Sequence, residues 1–179
     1  SEEGGVDPNA PMVALTFDDG PGPRTAELLD VLAEYDARAT FFMLGTQVSK
    51  NPDTVKKMAE IGCELGNHSY DHTNLTKLDA NGIQKQMSDT NNQLVAACGQ
   101  KATVMRPPYG AINDTVKQNA GLPMILWSID TLDWKTRNTQ STIDAVMNNV
   151  QDGAVILMHD IHTQSIDAAI ALIPKLQEA

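Results

Sequence analysis

The chain has 179 residues, is 41% apolar, and carries 23 acidic against 13 basic side chains, a net charge of −10. That suffices for one substantial core and favours a single domain over residues 1–179, and no run of eighteen apolar residues marks a membrane span. The acidic balance, with no Lys/Arg cluster to offset it, argues against nucleic acid and anionic lipid as partners and leaves a neutral small molecule or polysaccharide.

The chain opens on polar SEEGG, without the charged-then-apolar pattern of a leader, and reads as a trimmed or mature form. MVALTF (12–17), ATFFML (39–44), CELGN (63–67), TVMR (103–106), MILWS (124–128) and AVILMH (154–159) predict six strands. Their nearly continuous apolarity predicts cover on both faces, as in a parallel sheet. Between them, TAELLDVLAEY places Leu28, Leu29, Val31 and Leu32 at helical spacing, and PDTVKKMAEIG has Pro52 near its start and Gly62 at its end. Residues 79–98, INDTVKQNAG, STIDAVMNNV and DAAIALIPKLQ predict further helices. Repeated strand–helix units imply right-handed crossovers and an α/β class. The chain falls short of the about 250 residues of a closed eight-stranded barrel, so a distorted or incomplete (β/α) barrel is expected.

In such folds the site lies beyond the C-terminal strand ends, and the polar residues collect there. TFDDGP places Asp18 and Asp19 side by side where the first strand stops. Alone, this is ordinary Asp-Gly-Pro turn chemistry. His68 and His72 in GNHSYDH are four residues apart, one helical turn, so both rings can face one point. With Asp18 or Asp19 they make a His-His-Asp set with open positions, the composition of a catalytic zinc site, with Co, Ni or Mn as alternatives. One acid would then ligate metal and the other accept a proton, the cation removing their repulsion.

His159 ends AVILMH and can serve as a general acid, or be a loop histidine with its bonds satisfied. SIDTLDW offers Asp130, Asp133 and Trp134; an acid beside a histidine raises its pKa. Trp134 fits a pocket wall or the core. MRPPYG offers Arg106 as a carboxylate partner and the Tyr109 N–H as an oxyanion donor, or is simply a stiff turn. His162 is undecided between a surface position and a substrate contact.

TFDDGP, the TFF strand, His-x-x-x-His, RPPYG, DTLDW and ILMH occur in the order seen in NodB-type polysaccharide deacetylases, which the chain resembles from about Val13 to His162. The resemblance implies Asp18 as catalytic base, Asp19, His68 and His72 as metal ligands, and Arg106 as orienter of the base. It further implies the Tyr109 N–H as oxyanion donor, His159 as acid tuned by Asp133, and Trp134 and Leu157 with Tyr109 as walls of the acetate pocket. Arg38 would support Asp133. The implied reaction is metal-dependent hydrolysis of acetyl groups from N-acetylglucosamine in a glycan, peptidoglycan before chitin oligomers, with zinc the first choice of metal. The alternatives are an O-acetyl-xylan esterase with the same core motifs, a metal-dependent phosphohydrolase, and a glycan-binding pseudoenzyme. Family chains generally continue past the last helix into another strand, so either this chain is trimmed at its C-terminus or the barrel is left open at that edge. Cys63, beginning a strand, and Cys98, ending a helix, fall at the barrel bottom and are expected to form a disulfide, which would suggest an extracellular or cell-surface protein. A monomer is expected.

Overall fold

The computed structural model describes residues 12–178; the SEEGG opening and the outer bounds of the expected domain lie outside the described residues. Strands β1 (Ala14–Asp18), β2 (Thr40–Met43), β3 (Glu64–Asn67), β4 (Val104–Met105), β5 (Ile129–Asp130) and β6 (Val155–His159) form one parallel sheet in the order β4-β3-β2-β1-β6-β5. Helices α1 (Thr25–Glu34), α2 (Gly45–Lys50), α3 (Pro52–Glu60), α4 (Ala80–Cys98), α5 (Asp114–Asn119), α6 (Asp133–Thr136), α7 (Thr139–Met147) and α8 (Thr163–Glu178) connect them.

Helix ends follow local chemistry. Asp79 accepts from Gly82 N at 2.8 Å to cap α4, and left-handed Gly99 closes it. Asn113 and Asn138 cap α5 and α7 in the same way. Pro52 sits in the first turn of α3 and Gly62 follows its end at φ 86°.

Both sheet faces are covered, as the apolar runs predict. Leu15, Phe17, Phe41, Met43, Leu65, Ile156 and Met158 pack outward with Leu28, Leu32 and Leu172 of the helices, and Phe17 stacks on Phe41 at 5.2 Å. Alternate residues point inward: Thr16, Asp18, Phe42, Leu157 and His159. Gly66 has no room for a side chain, because a Cβ there would lie 2.5 Å from the Phe42 ring.

The fifth predicted strand is displaced. In MILWS only Met124 is bridged, to Met105, and β5 forms at Ile129–Asp130 instead. The reason is tertiary: the Arg106 guanidinium takes the Ile125 and Leu126 carbonyls at 3.0 and 2.8 Å, and Ser128 Oγ takes the Val155 N–H at 3.0 Å. Residues 124–130 thus touch β4 at one end and β6 at the other, joining the sheet's edges into a distorted barrel.

The expected Cys63–Cys98 disulfide is absent; both are free thiols. The Cys98 thiol donates to Leu94 O of its own helix at 3.3 Å. Burial pushes the Cys63 thiol up, against the pull of the Ala39 backbone and Arg38, which disfavours the reactive thiolate. Thiol labelling after unfolding without reductant should therefore modify both cysteines; labelling of neither would restore the disulfide. No helix among the described residues is long and apolar enough to cross a membrane.

Candidate active site

β1 delivers Asp18 and Asp19 together. Successive strand residues normally face opposite ways, but Asp19 adopts a left-handed φ of 79°, and both carboxylates line one cleft of about 480 Å³. Asp18 is buried, and its Oδ1 accepts from Arg106 Nη1 at 2.7 Å. Arg106 is fully buried, also donates to Thr16 Oγ1 at 2.9 Å, and lies 4.2 Å from the Phe42 ring centre. Its donors and flat face are so fully engaged that lysine could not replace it.

His68 and His72 converge without a helix. Ser69 and His72 are left-handed at φ 73° and 68°, and the loop is pinned by Ser69 N to Asn67 Oδ1 (2.9 Å) and His72 N to Ser69 Oγ (3.0 Å). Such backbone strain in non-glycine residues is stored at functional sites. Asp19 Oδ1 lies 3.3 Å from His68 Nε2 and 3.4 Å from His72 Nε2, yet it is buried with no hydrogen-bond partner. One nitrogen from each ring and one carboxylate oxygen lie within 4.8 Å of one another. His68 Nδ1 lies 2.6 Å from Arg106 O, which fixes its N–H there and aims the Nε2 lone pair at Asp19. An orphaned carboxylate oxygen between two imidazole nitrogens fits a divalent cation of the zinc type. Burial pulls His72 down, favouring the neutral form a ligand needs. Burial opposes ionisation of Asp19, but the neighbouring imidazoles of His68, His159 and His72 lower its pKa.

Across the cleft, His159 Nδ1 is 2.8 Å from Asp133 Oδ1. Asp133 is buried and also accepts from His159 N (2.7 Å), Trp134 N (2.9 Å) and Ser165 Oγ (2.6 Å). Burial alone would depress the imidazole, but its bond to Asp133 and the charges of Asp133, Asp19 and Asp18 push it up to about 9. Trp134, Leu157 and Tyr109 line the same cleft. Tyr109 is left-handed at φ 63°, stands T-shaped to His72 at 4.6 Å, and its N–H donates to none of the described groups.

A model of the family described as polysaccharide deacetylase matches residues 5–124. The chain is 45% identical over 174 residues to peptidoglycan-N-acetylmuramic acid deacetylase PdaC of Bacillus subtilis, covering 97% of this chain and 37% of that protein. It superposes on that deacetylase's solved structure with a TM-score of 0.93 at 44% identity, covering 97% and 86% of the two chains. It is 43% identical to peptidoglycan-N-acetylglucosamine deacetylase PgdA of Listeria monocytogenes over 92% of this chain and 36% of that protein. It is also 39% identical to a chitooligosaccharide deacetylase of Rhizobium leguminosarum bv. trifolii over 92% of this chain and 85% of that one. The chain belongs to the polysaccharide deacetylase family. It spans 37% and 36% of the lengths of the first two relatives.

In this polysaccharide deacetylase domain, Asp18, Asp19, His68, His72, Tyr109, Trp134, Leu157 and His159 line one cleft, with Arg106 and Asp133 buried behind it. Arg38 does not join them. It packs against Gly62 near Cys63, at the other end of the strands, and the partners of Asp133 are His159, Ser165 and backbone N–H groups. His162 is half-buried, its ring 6.4 Å from His159 and its carbonyl bonded to Ser165 N and Ile166 N at the start of α8. Sequence reading missed Ser165, which looks like any first-turn helix serine, and Thr16, whose polarity inside MVALTF was the available signal.

Proposed function

We propose that this chain is a single, monomeric catalytic domain that hydrolyses acetyl groups from N-acetylated sugars of a polysaccharide at the cell surface or outside the cell, peptidoglycan first and chitin oligomers next. The observation that carries the reading is the orphaned Asp19 oxygen between two imidazoles, flanked in one cleft by an arginine-held carboxylate and a carboxylate-held imidazole. Asp19, His68 and His72 would hold one divalent cation, zinc by preference, which supplies Lewis acidity to the acetyl carbonyl and to water.

The chain's own residues do the rest. Asp18 takes a proton from water as its oxygen adds to the acetyl carbon, and Arg106 holds the carboxylate in line. The Tyr109 N–H donates to the oxygen that becomes negative. The C–N bond breaks with its electron pair on nitrogen, and His159 Nε2 gives that nitrogen a proton. Acetate and an amine leave. Trp134 and Leu157 exclude water around the acetyl methyl.

Because His159 is raised, its acid form persists through neutrality and activity falls as pH rises past its pKa. Asp133→Asn removes the charge that raises it. The alkaline limb of the kcat profile should move to lower pH by about one pH unit or more. An unmoved limb would remove Asp133 from that role.

The test is acetate release from peptidoglycan, chitopentaose and acetylated xylan, after metal stripping and again with zinc or cobalt restored. Metal-dependent release from the first two is expected. Release from xylan alone would make the domain an esterase, and silence on all three would overturn the proposal.

A further inference from the structure

Asp160, immediately after His159, is buried and does not line the cleft. Its Oδ2 accepts from Thr25 Oγ1 at 2.7 Å, and the same hydroxyl accepts from Gly22 N at 2.8 Å. A Cβ on Gly20 would lie 2.3 Å from Asp160 Oδ1, and one on Gly22 would lie 2.7 Å from Ile161 Cα and 2.8 Å from Asp160 O. The Gly20–Thr25 loop therefore lies flush on the chain that leaves β6, with no space for a side chain between them. Asp160 Oδ1 has no hydrogen-bond partner among the described residues. For packing alone this is a costly arrangement, since an apolar side chain of similar size would fill the space without burying a half-satisfied carboxyl.

We infer that Asp160 is a positioning residue that, through Thr25, locks the Gly20–Thr25 loop, which directly follows Asp18 and Asp19, to the strand end carrying His159. The inference rests on the function proposed above: the β1–β6 ladder already pairs Asp18 with His159, and Asp160 fixes how the chain leaves both strand ends, beside the ligand Asp19. The two glycines of DDGPG are the surface that lets the loop seat there. Burial pushes the Asp160 carboxyl up to about 7 against the Thr25 hydrogen bond, so its uncharged amide isostere is the fitting conservative substitute.

The test compares Asp160→Ala, Asp160→Asn and Thr25→Val in the intact chain by three readouts: zinc affinity by calorimetry on stripped protein, kcat and KM for acetate release, and Tm. Asp160→Ala and Thr25→Val should each lower kcat and weaken zinc binding by about tenfold to a hundredfold with KM little changed. Asp160→Asn should stay within about threefold of the parent in both, as a retained acceptor for Thr25 requires. A fall in Tm for Asp160→Ala with parental kcat and zinc affinity would reduce Asp160 to packing. Equal damage from Asn and Ala would also overturn the inference. Should Asp160→Ala not fold, Thr25→Val decides on the same readouts. If the parent releases no acetate at all, the proposed function falls, while the zinc comparison still decides this inference.

Discussion

Asp18→Asn is expected to slow acetate release by about 10²- to 10⁴-fold, the usual contribution of a positioned general base. The change is nearly isosteric. An asparagine oxygen can still accept from Arg106 Nη1, now bonded to Asp18 Oδ1 at 2.7 Å, so the buried guanidinium keeps that bond. What is lost is the basicity of the oxygen facing the cleft, Oδ2, which lies 3.6 Å from His68 Nε2. Asp19, His68 and His72 are untouched, so zinc affinity measured on the same sample should stay near the parental value. Loss of turnover with metal binding retained identifies a base. Turnover at the parental rate would strike Asp18 from that role, and joint loss of turnover and zinc would make it a ligand instead.

The second large effect is chemically selective. His159→Ala should cost about 10²- to 10⁴-fold on an N-acetyl sugar, and much less on an activated acetate ester such as 4-nitrophenyl acetate. An amine cannot depart as its anion in water, so C–N cleavage demands a proton; a phenolate leaves without one. The variant should also fold. Asp133 keeps three of its donors, the backbone N–H groups of residues 159 and 134 and the Ser165 hydroxyl, so its charge is not stranded. Rates on both substrates measured side by side decide it. Equal losses would mean that His159 binds or shapes the cleft without delivering a proton.

The parts legible in the sequence were those set by local pattern. β1, β2 and β6 are nearly continuous apolar runs, and the helices at Pro52 and after Asp79 begin where such residues say they should. The failures had long-range causes. MILWS looks like a strand, but its carbonyls are claimed by Arg106 from β4's end, which no local pattern reveals. The short α2 and α6, of six and four residues, carry too little periodicity to be seen. His68 and His72 come together through two left-handed residues and Asn67, not through the helical turn that their spacing suggests. Thr25 and Asp160 are 135 residues apart, and a bond across that distance leaves no mark on either neighbourhood.

The seam at Arg106 bears on how this domain would respond to heat. β4 and β5 are two residues each, the most thinly bonded strands of the sheet, and one guanidinium both fills the gap between them and holds Asp18. Regions with few backbone bonds open locally well below global melting. Opening here would free Asp18 from its partner while the β1–β2–β6 centre and its helices stayed intact. Catalysis should therefore fade reversibly several degrees before circular dichroism records any unfolding, making turnover the more sensitive thermometer of this molecule.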